Sequence, residues 1–404
     1  MPALIKNQGQ NSPGIITFSS GEALWGLPRL SNEVREFLNF QSQSGNWIFG
    51  VHVQGDLSSL DQWPLESWLG FVLWPDPKAR FLSNIAESKR LPLACVNFMP
   101  AGLAKATARI RVWDICLISR ASSIKRIDDS LEIIRILIIK NPAIQIVIIV
   151  PDGRTINSSQ EVMDNSYFKL PRHIFTSNQL KNLTFISSST EAFGQFPLSD
   201  TFMSEIILQS KFVMLNSHSE GTPRSLAEAL LLGTPVIVSE NLRSGINNAL
   251  DDANSIKVSD NNLLAAEQIL HSLLTYDSFI VNRQQSEQFF SESVHLPIFK
   301  NLITNLYPQI GEHDGLWHLH ELHLRLACHG QKVNQQFFNN SNAFFKWFNH
   351  VERINNSNLT LDDDDLLYSD VYEDYPLPLK SFHRFLVLGI SKFLRIIRSI
   401  RRNW

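Results

Sequence analysis

Hydrophobic residues in the first hundred positions fall into short runs separated by polar and turn-forming stretches. IITFSS (15–20), WIFGVHV (47–53), WLGFVLW (68–74) and LPLACVNF (91–98) read as β-like runs, and the stretches near 31–41 and 77–88 read as helices. From Trp113 the alternation sharpens. WDICLIS (113–119), AIQIVIIV (143–150), LTFISS (183–188), KFVMLNS (211–217) and TPVIVS (234–239) are nearly continuous apolar runs. Helices are expected between them, over 128–140, near 199–210 and over 223–232. Strands that are apolar on both faces and alternate with helices form parallel sheets covered on both sides. The expected class is α/β, with a doubly wound unit at its centre. Ligands in such folds bind beyond the carboxyl ends of the strands, so the loops that follow strands carry the functional candidates.

After residue 300 the pattern turns helical, with a His-rich stretch (313–330) and an aromatic one, FFKWF (344–348). Residues 361–375 hold seven acids and no Lys or Arg, as expected of a solvated linker. The segment from Leu379 to Trp404 holds seven bases and no acid. On a helical wheel Phe382, Phe385, Leu386, Ile390, Phe393, Ile396, Ile397, Ile400 and Trp404 span about 140°, opposite Lys380, Arg384, Lys392, Arg395, Arg398 and Arg402. A basic amphipathic helix of this kind lies on an anionic membrane surface, or docks on the protein itself or on a partner. The organisation read from the chain is 1–108, a short amino-terminal α/β domain; 109–300, a Rossmann-like domain; 301–360, a helical extension; 361–378, an acidic linker; and 379–404, the basic helix.

Composition narrows the function classes. With 404 residues, 44% hydrophobic and 19% charged, the chain is neither collagen-like nor largely disordered. Lys and Arg number 36 against 39 Asp and Glu, a net charge of −3, which argues against a nucleic-acid partner. The acidic linker and the basic helix cancel within that sum. Cys95, Cys116 and Cys328 read as buried thiols in a reducing compartment, since they are odd in number and widely spaced. No apolar run has the length of a signal peptide or a membrane span, so the expected location is cytoplasmic, with peripheral contact on the inner face of a membrane through 379–404.

Two post-strand loops carry unusual chemistry. In SHSEGTPRSLAEALLLGTPVIVS, Glu220 leaves a strand, Gly221 and Thr222 turn the chain, Pro223 suits a first helical turn, and Glu228 follows two turns on. Eight residues at 1.5 Å each set the two carboxylates about 12 Å apart and about 80° apart in rotation, with the positive end of a helix between them. After WDICLIS, the loop Ser119-Arg120-Ala121-Ser122-Ser123-Ile124-Lys125 offers an Arg and a Lys that can converge on a diphosphate.

These residues, with Ala229, Gly233, Pro235 and Val236, resemble the signature of glycosyltransferase family 4, retaining nucleotide-sugar enzymes of the GT-B fold with two facing Rossmann-like domains. The likeness covers about residues 112–300. It implies catalytic roles for Glu220, which faces the donor sugar, and for Arg120 and Lys125, which stabilise the departing diphosphate; Ser119 stands where that family has glycine. It implies donor binding by Glu228, through the ribose hydroxyls, and by Gly221, Thr222 and Pro223. It also implies a nucleoside diphosphate sugar as donor, a glycan or lipid-linked acceptor, and no metal or other cofactor. Two stretches depart from the family. The first unit, about 105 residues, is shorter than that family's acceptor domain, with Ser19-Ser20-Gly21 in place of a Gly-rich loop and His52 as its one histidine. Beyond Ser239, Asn241-Leu242-Arg243-Ser244-Gly245 replaces a Gly-Gly-x-x-Glu stretch. A non-catalytic nucleotide-sugar or glycan-binding relative is the alternative, and a nucleotide-sugar epimerase a weaker third reading.

Two other motifs have plainer explanations. HELH (320–323) is one residue short of a zinc motif and reads as structural or surface, and Asp152-Gly153 reads as a turn.

Overall fold

A computed structural model of the chain describes residues 2–53, 60, 62–63, 66–76, 78–103, 109–119, 125–150, 174–187, 200–311, 314–326 and 341–357. The chain divides into two compact units, Met1–Phe345 and Lys346–Trp404. The first unit holds two sheets. Sheet one runs in the order β1 (Ala3–Lys6), β2 (Gly14–Ser19), β3 (Trp47–His52), β4 (Leu69–Leu73), β5 (Arg90–Leu91). Its first pair is antiparallel and the rest are parallel. Sheet two contains β6 (Trp113–Ile118), β7 (Ile146–Val150), β8 (Leu183–Ser187), β9 (Ser210–Leu215), β10 (Val236–Ser239) and β11 (Ser255–Val258). All its pairs are parallel, in the order β11-β10-β9-β6-β7-β8.

That order is the doubly wound dinucleotide-binding one, and it reverses between β6 and β9. In sheets of this kind ligands bind outside the carboxyl ends of the strands at such a reversal. Sheet one has no such reversal among its parallel strands. Together they make an α/β layout of two mainly parallel sheets, with the smaller sheet first.

Alternation at every second residue explains why the strands of sheet two are apolar throughout. Ile115, Leu117, Phe212, Met214 and Ile237 point to one face, where they pack on α2 (Ile127–Lys140) and, further along the chain, α5 (Asn262–Leu274). Cys116, Val147, Ile149, Val213, Leu215, Val236 and Val238 point to the other, against α3 (Asp200–Leu208) and α4 (Arg224–Leu231). Each side chain of this kind contributes about 1.5–3 kcal/mol by leaving water. The same core continues into sheet one through Ile15, Ile48, Phe71 and Leu73. Phe299 of α7 (Glu292–Leu306) joins it, with its ring 5.7 Å from Phe98 and 6.4 Å from Phe71. The opposite face of sheet one is aromatic, with Phe18 5.9 Å from Phe49 and 5.7 Å from Trp68. Two further helices of the first unit are α1 (Asn32–Gln43), near its predicted place, and α6 (Arg283–Phe290).

Three local expectations are corrected. Residues 77–88 form no α-helix; only short 3-10 turns occur, at Arg80–Leu82 and Glu87–Lys89. Arg90 takes the carbonyls of Ile85 (2.7 Å) and Ser83 (3.2 Å) that a helical ladder would need. The run 91–98 is not a strand beyond Leu91, because Pro92 has no N–H for the ladder; Cys95–Phe98 is a 3-10 turn instead. The His-rich stretch is mostly extended in its described part, with one short helix, α8 (Leu322–Arg325). There the chain pairs with the edge of β1: Asn7 donates to the Leu316 carbonyl (2.8 Å) and His318 donates to that of Ile5 (2.8 Å). This contact covers an edge strand that would otherwise stay open. Lys6, fully buried, completes the junction by donating to Ser12 Oγ (2.9 Å) and to the Asn7 carbonyl (2.9 Å). The aromatic stretch is helical, within α9 (Ser341–Ser357), whose last part is the described portion of the second unit. The acidic run and the segment 379–404 lie outside the described residues.

Candidate functional site

β6 ends at Ile118 and β9 at Leu215, and the reversal of strand order brings Lys125 and Arg126, just before α2, beside the loop 216–223. Lys125 and Glu220, 95 positions apart, meet there through a direct ion-paired hydrogen bond from Nζ to Oε1. Their side chains are 21% and 10% exposed, so the pair is only partly screened by water. Two of the three expected catalytic residues are thereby brought together. The third, Arg120, lies outside the described residues, as does Asp152-Gly153.

Glu220 is followed by Gly221, Thr222 and then Pro223, which caps α4 with extended backbone and makes no side-chain bond to the helix. The first-turn N–H groups of α4 consequently have no side-chain cap, which leaves the positive helix end facing the loop. Residues 226–231 of α4 are all buried, and Glu228 is the one charge among them at 5% exposure. A carboxylate in such a place needs a partner. Arg224, one turn earlier, supplies it at 2.8 Å from Nε to Oε1. The sequence reading missed Arg224, although its i, i+4 spacing to Glu228 was a visible signal. Beyond α4, Gly233 takes a positive φ of 78° to turn the chain into β10. Arg283 donates to the Leu232 carbonyl at 2.6 Å and closes that helix end.

The divergent stretch 241–245 forms a rail along the Glu220 loop. Glu220 donates to the Arg243 carbonyl (2.9 Å), Arg243 to that of His218 (2.8 Å) and Gly245 to that of Gly221 (2.8 Å). Loops of sheet one close on the same place. Cys95 Sγ lies 3.4 Å from Thr222 Oγ1, and a methyl built on Gly245 would come 2.7 Å from Pro75 Cγ. Burial pushes the Cys95 thiol up, against the lowering effect of its bond with Thr222. It is a packed thiol, as is Cys116.

At the far side of the Glu220 loop, Arg126, His218 and Asn241 converge on Asp260. Burial pushes the Asp260 carboxyl up, yet hydrogen bonds from His218, Arg126 and Asn241 outweigh it and hold the carboxyl well below the usual carboxylate range. Neither Arg126 nor Asp260 stood out in the sequence.

In sheet one, Ser19 donates from its backbone to Glu22 Oε2 (2.8 Å) and accepts in return at Oγ from the Glu22 N–H (3.2 Å). Ser19-Ser20-Gly21 thus leads into a short π-helical turn, Glu22–Gly26. His52 ends β3 in register with Ser19 and is 2% exposed. Neither of its ring nitrogens has a hydrogen-bond partner among the described residues, and burial pushes it down to about 3. In HELH, His320 is 79% exposed in its side chain whereas His323 is 2% exposed, so the two diverge. No cluster of three or more His, Cys, Asp or Glu suited to a metal occurs among the described residues.

No protein-family model matches the chain, and no curated protein matches it. Several solved structures are similar in part. TarM of S. aureus is 15% identical with a TM-score of 0.47, over 64% of this chain and 50% of that one. The pneumococcal O-GlcNAc transferase GtfA, solved with UDP and GlcNAc, is 14% identical with a TM-score of 0.47, over 67% of this chain and 54% of that one. HepE of Anabaena, solved with UDP and glucose, is 13% identical with a TM-score of 0.46, over 68% of this chain and 78% of that one. The chain spans about half the length of TarM and GtfA. At these identities and scores the likeness assigns no activity and no residue role to this chain.

Proposed function

We propose that the protein is a retaining glycosyltransferase that moves a sugar from a nucleoside diphosphate sugar to a glycan or lipid-linked acceptor. The observation that carries this reading is the Lys125–Glu220 pair, formed where the strand order of a doubly wound sheet reverses and just ahead of the first turn of α4. When the bond from the anomeric carbon to the diphosphate breaks, its electron pair moves onto the phosphate oxygen. Lys125 and Arg120 supply fixed positive charge to that oxygen, and the first-turn N–H groups of α4 add their dipole. Glu220 orients the sugar. Glu228, oriented by the Arg224 guanidinium 2.8 Å away, accepts hydrogen bonds from the ribose hydroxyls. The acceptor hydroxyl then attacks the face from which the diphosphate left and gives its proton to the departing phosphate oxygen. This reading assigns no metal a role and gives the leaving diphosphate to cationic side chains and a helix end.

A binding-only relative is the second reading. It is favoured by the short first sheet, which has no strand-order reversal, and by the buried His52, which has no polar partner among the described residues. Incubation with a panel of nucleotide sugars and several acceptors separates the two. Transfer supports the enzyme, donor binding without transfer supports the second reading, and neither binding nor turnover sinks both. Isomerisation of the donor without an acceptor would point to an epimerase instead.

Among the described residues no helix is long and apolar enough to cross a membrane. Peripheral contact of the basic segment 379–404 with an anionic membrane, on its cytoplasmic side, remains part of this proposal. Loss of binding to anionic vesicles on its deletion supports that contact, and unchanged binding refutes it.

A further inference from the structure

We propose that Asp260 is a positioning residue that sets Lys125 opposite Glu220 by tying together the loops that carry them; this rests on the donor site described above. Asp260 lies two residues past the edge strand β11. Its Oδ1 accepts from Arg126 Nη1 at 2.6 Å and from Ser239 Oγ at 3.3 Å, and lies 2.6 Å from His218 Nε2. Its Oδ2 accepts from Asn241 Nδ2 at 2.6 Å. Arg126 Nη1 also contacts His218 Nε2 directly. The loops that follow β6, β9, β10 and β11 therefore meet at one carboxylate.

The neighbours of these partners are the residues of interest. Arg126 directly follows Lys125, and His218 stands two positions before Glu220. Arg126 is one of two described non-glycine residues with a positive φ, and its angles of 47° and 45° are left-handed. A residue with a Cβ keeps that conformation only where its surroundings hold it, and such places cluster at functional sites. Here the hold comes from two carboxylates on one guanidinium, Asp129 at 2.8 Å and Asp260 at 2.6 Å. Asp129 lies in the first turn of α2, directly after Arg126, and fixes only local geometry. Asp260 is the partner that links Arg126 to the Glu220 loop, 134 positions along the chain. Charge-assisted bonds at these distances are strong enough to hold both loops in register without touching substrate.

The test compares the full chain with its Asp260→Asn and Asp260→Glu variants. Amide hydrogen exchange is read by mass spectrometry without ligand. Asn in place of Asp260 should speed exchange about tenfold in peptides covering 125–130 and 216–221 together, leaving β7 unchanged, and Glu should restore part of the protection. Faster exchange in one loop only, in neither, or uniformly through the sheet overturns the proposal. A second arm titrates uridine, guanosine, adenosine and thymidine diphosphates. Asp260→Asn should weaken binding about tenfold in the wild-type background and have no added effect in Lys125→Ala. Equal losses in both backgrounds would also overturn it. If the wild-type chain binds none of the four, the donor reading fails, and the exchange arm still decides whether Asp260 frames the loops.

Discussion

Glu220→Gln should tighten nucleoside diphosphate binding while it abolishes sugar transfer. In the ligand-free protein the ammonium of Lys125 is engaged by Glu220, in a pair that is 21% and 10% exposed. A hydrogen bond between charged groups contributes about 1.5–3 kcal/mol net, and the exposure on the lysine side places this pair near the lower figure. That energy must be given up when Lys125 turns to a diphosphate. Gln keeps the shape and an acceptor but carries no charge, so about 1.5 kcal/mol no longer opposes the ligand, which corresponds to an affinity gain of about tenfold. The lost repulsion between carboxylate and phosphate acts in the same direction. Turnover falls because the sugar loses its orienting carboxylate. Calorimetric titration with a nucleoside diphosphate, run on wild type, Glu220→Gln and Lys125→Ala, checks the affinity; the Ala variant should bind weakly. Unchanged or weaker binding by the Gln variant would refute the competition between Glu220 and the ligand for Lys125.

Four further outcomes are expected. Arg224→Ala removes the guanidinium 2.8 Å from the buried Glu228 carboxylate, so urea denaturation should show a loss of about 2–4 kcal/mol, with Arg224→Lys recovering part. Gly245→Ala places a methyl 2.7 Å from Pro75 Cγ and 3.0 Å from Thr222 Cγ2; the loops must part, costing about 1–3 kcal/mol in stability and weakening donor affinity in the same titrations. Burial pushes His52 down to about 3 and His318 down to about 4, from 6.5. The unfolded chain then takes up protons that the native chain refuses, so stability is full above pH 6.5 and falls toward pH 4, by on the order of 3 kcal/mol per histidine. Melting temperatures from pH 7 to 4 test this, and His318→Gln should flatten part of the slope. Chelation with EDTA should leave transfer unchanged, since side-chain cations and the α4 terminus act on the diphosphate; activity restored only by an added divalent ion would contradict that.

Much of sheet two was legible because its signals are local. Runs such as WDICLIS and KFVMLNS are apolar on both faces, and they became β6 and β9. The segment from Glu220 to Glu228 was legible as local structure for the same reason, being a turn and a helix start within nine residues. β1 and β11 escaped notice, since ALIK and SIKV are four residues long and each includes a lysine. Residues 77–88 misled because their buried positions, Phe81, Leu82 and Ile85, imitate helical spacing while Arg90 captures the carbonyls.

The chain by itself determined the class of the fold, the positions of most parallel strands, and the acidic and cationic residues available for a diphosphate and a sugar. It did not determine which of them meet. Strand order alone places the loops after β6 and β9 together, and hydrogen bonding between strands leaves no residue pattern that names the neighbour. Lys125 finds Glu220 across 95 positions, and Asp260 finds Arg126 across 134. Residues 316–318 become an extended cover for β1 because that edge offers backbone partners that water would otherwise have to satisfy. Periodicity reports which face of an element is buried, whereas pairing between distant charges and edges is decided only once the whole core has closed.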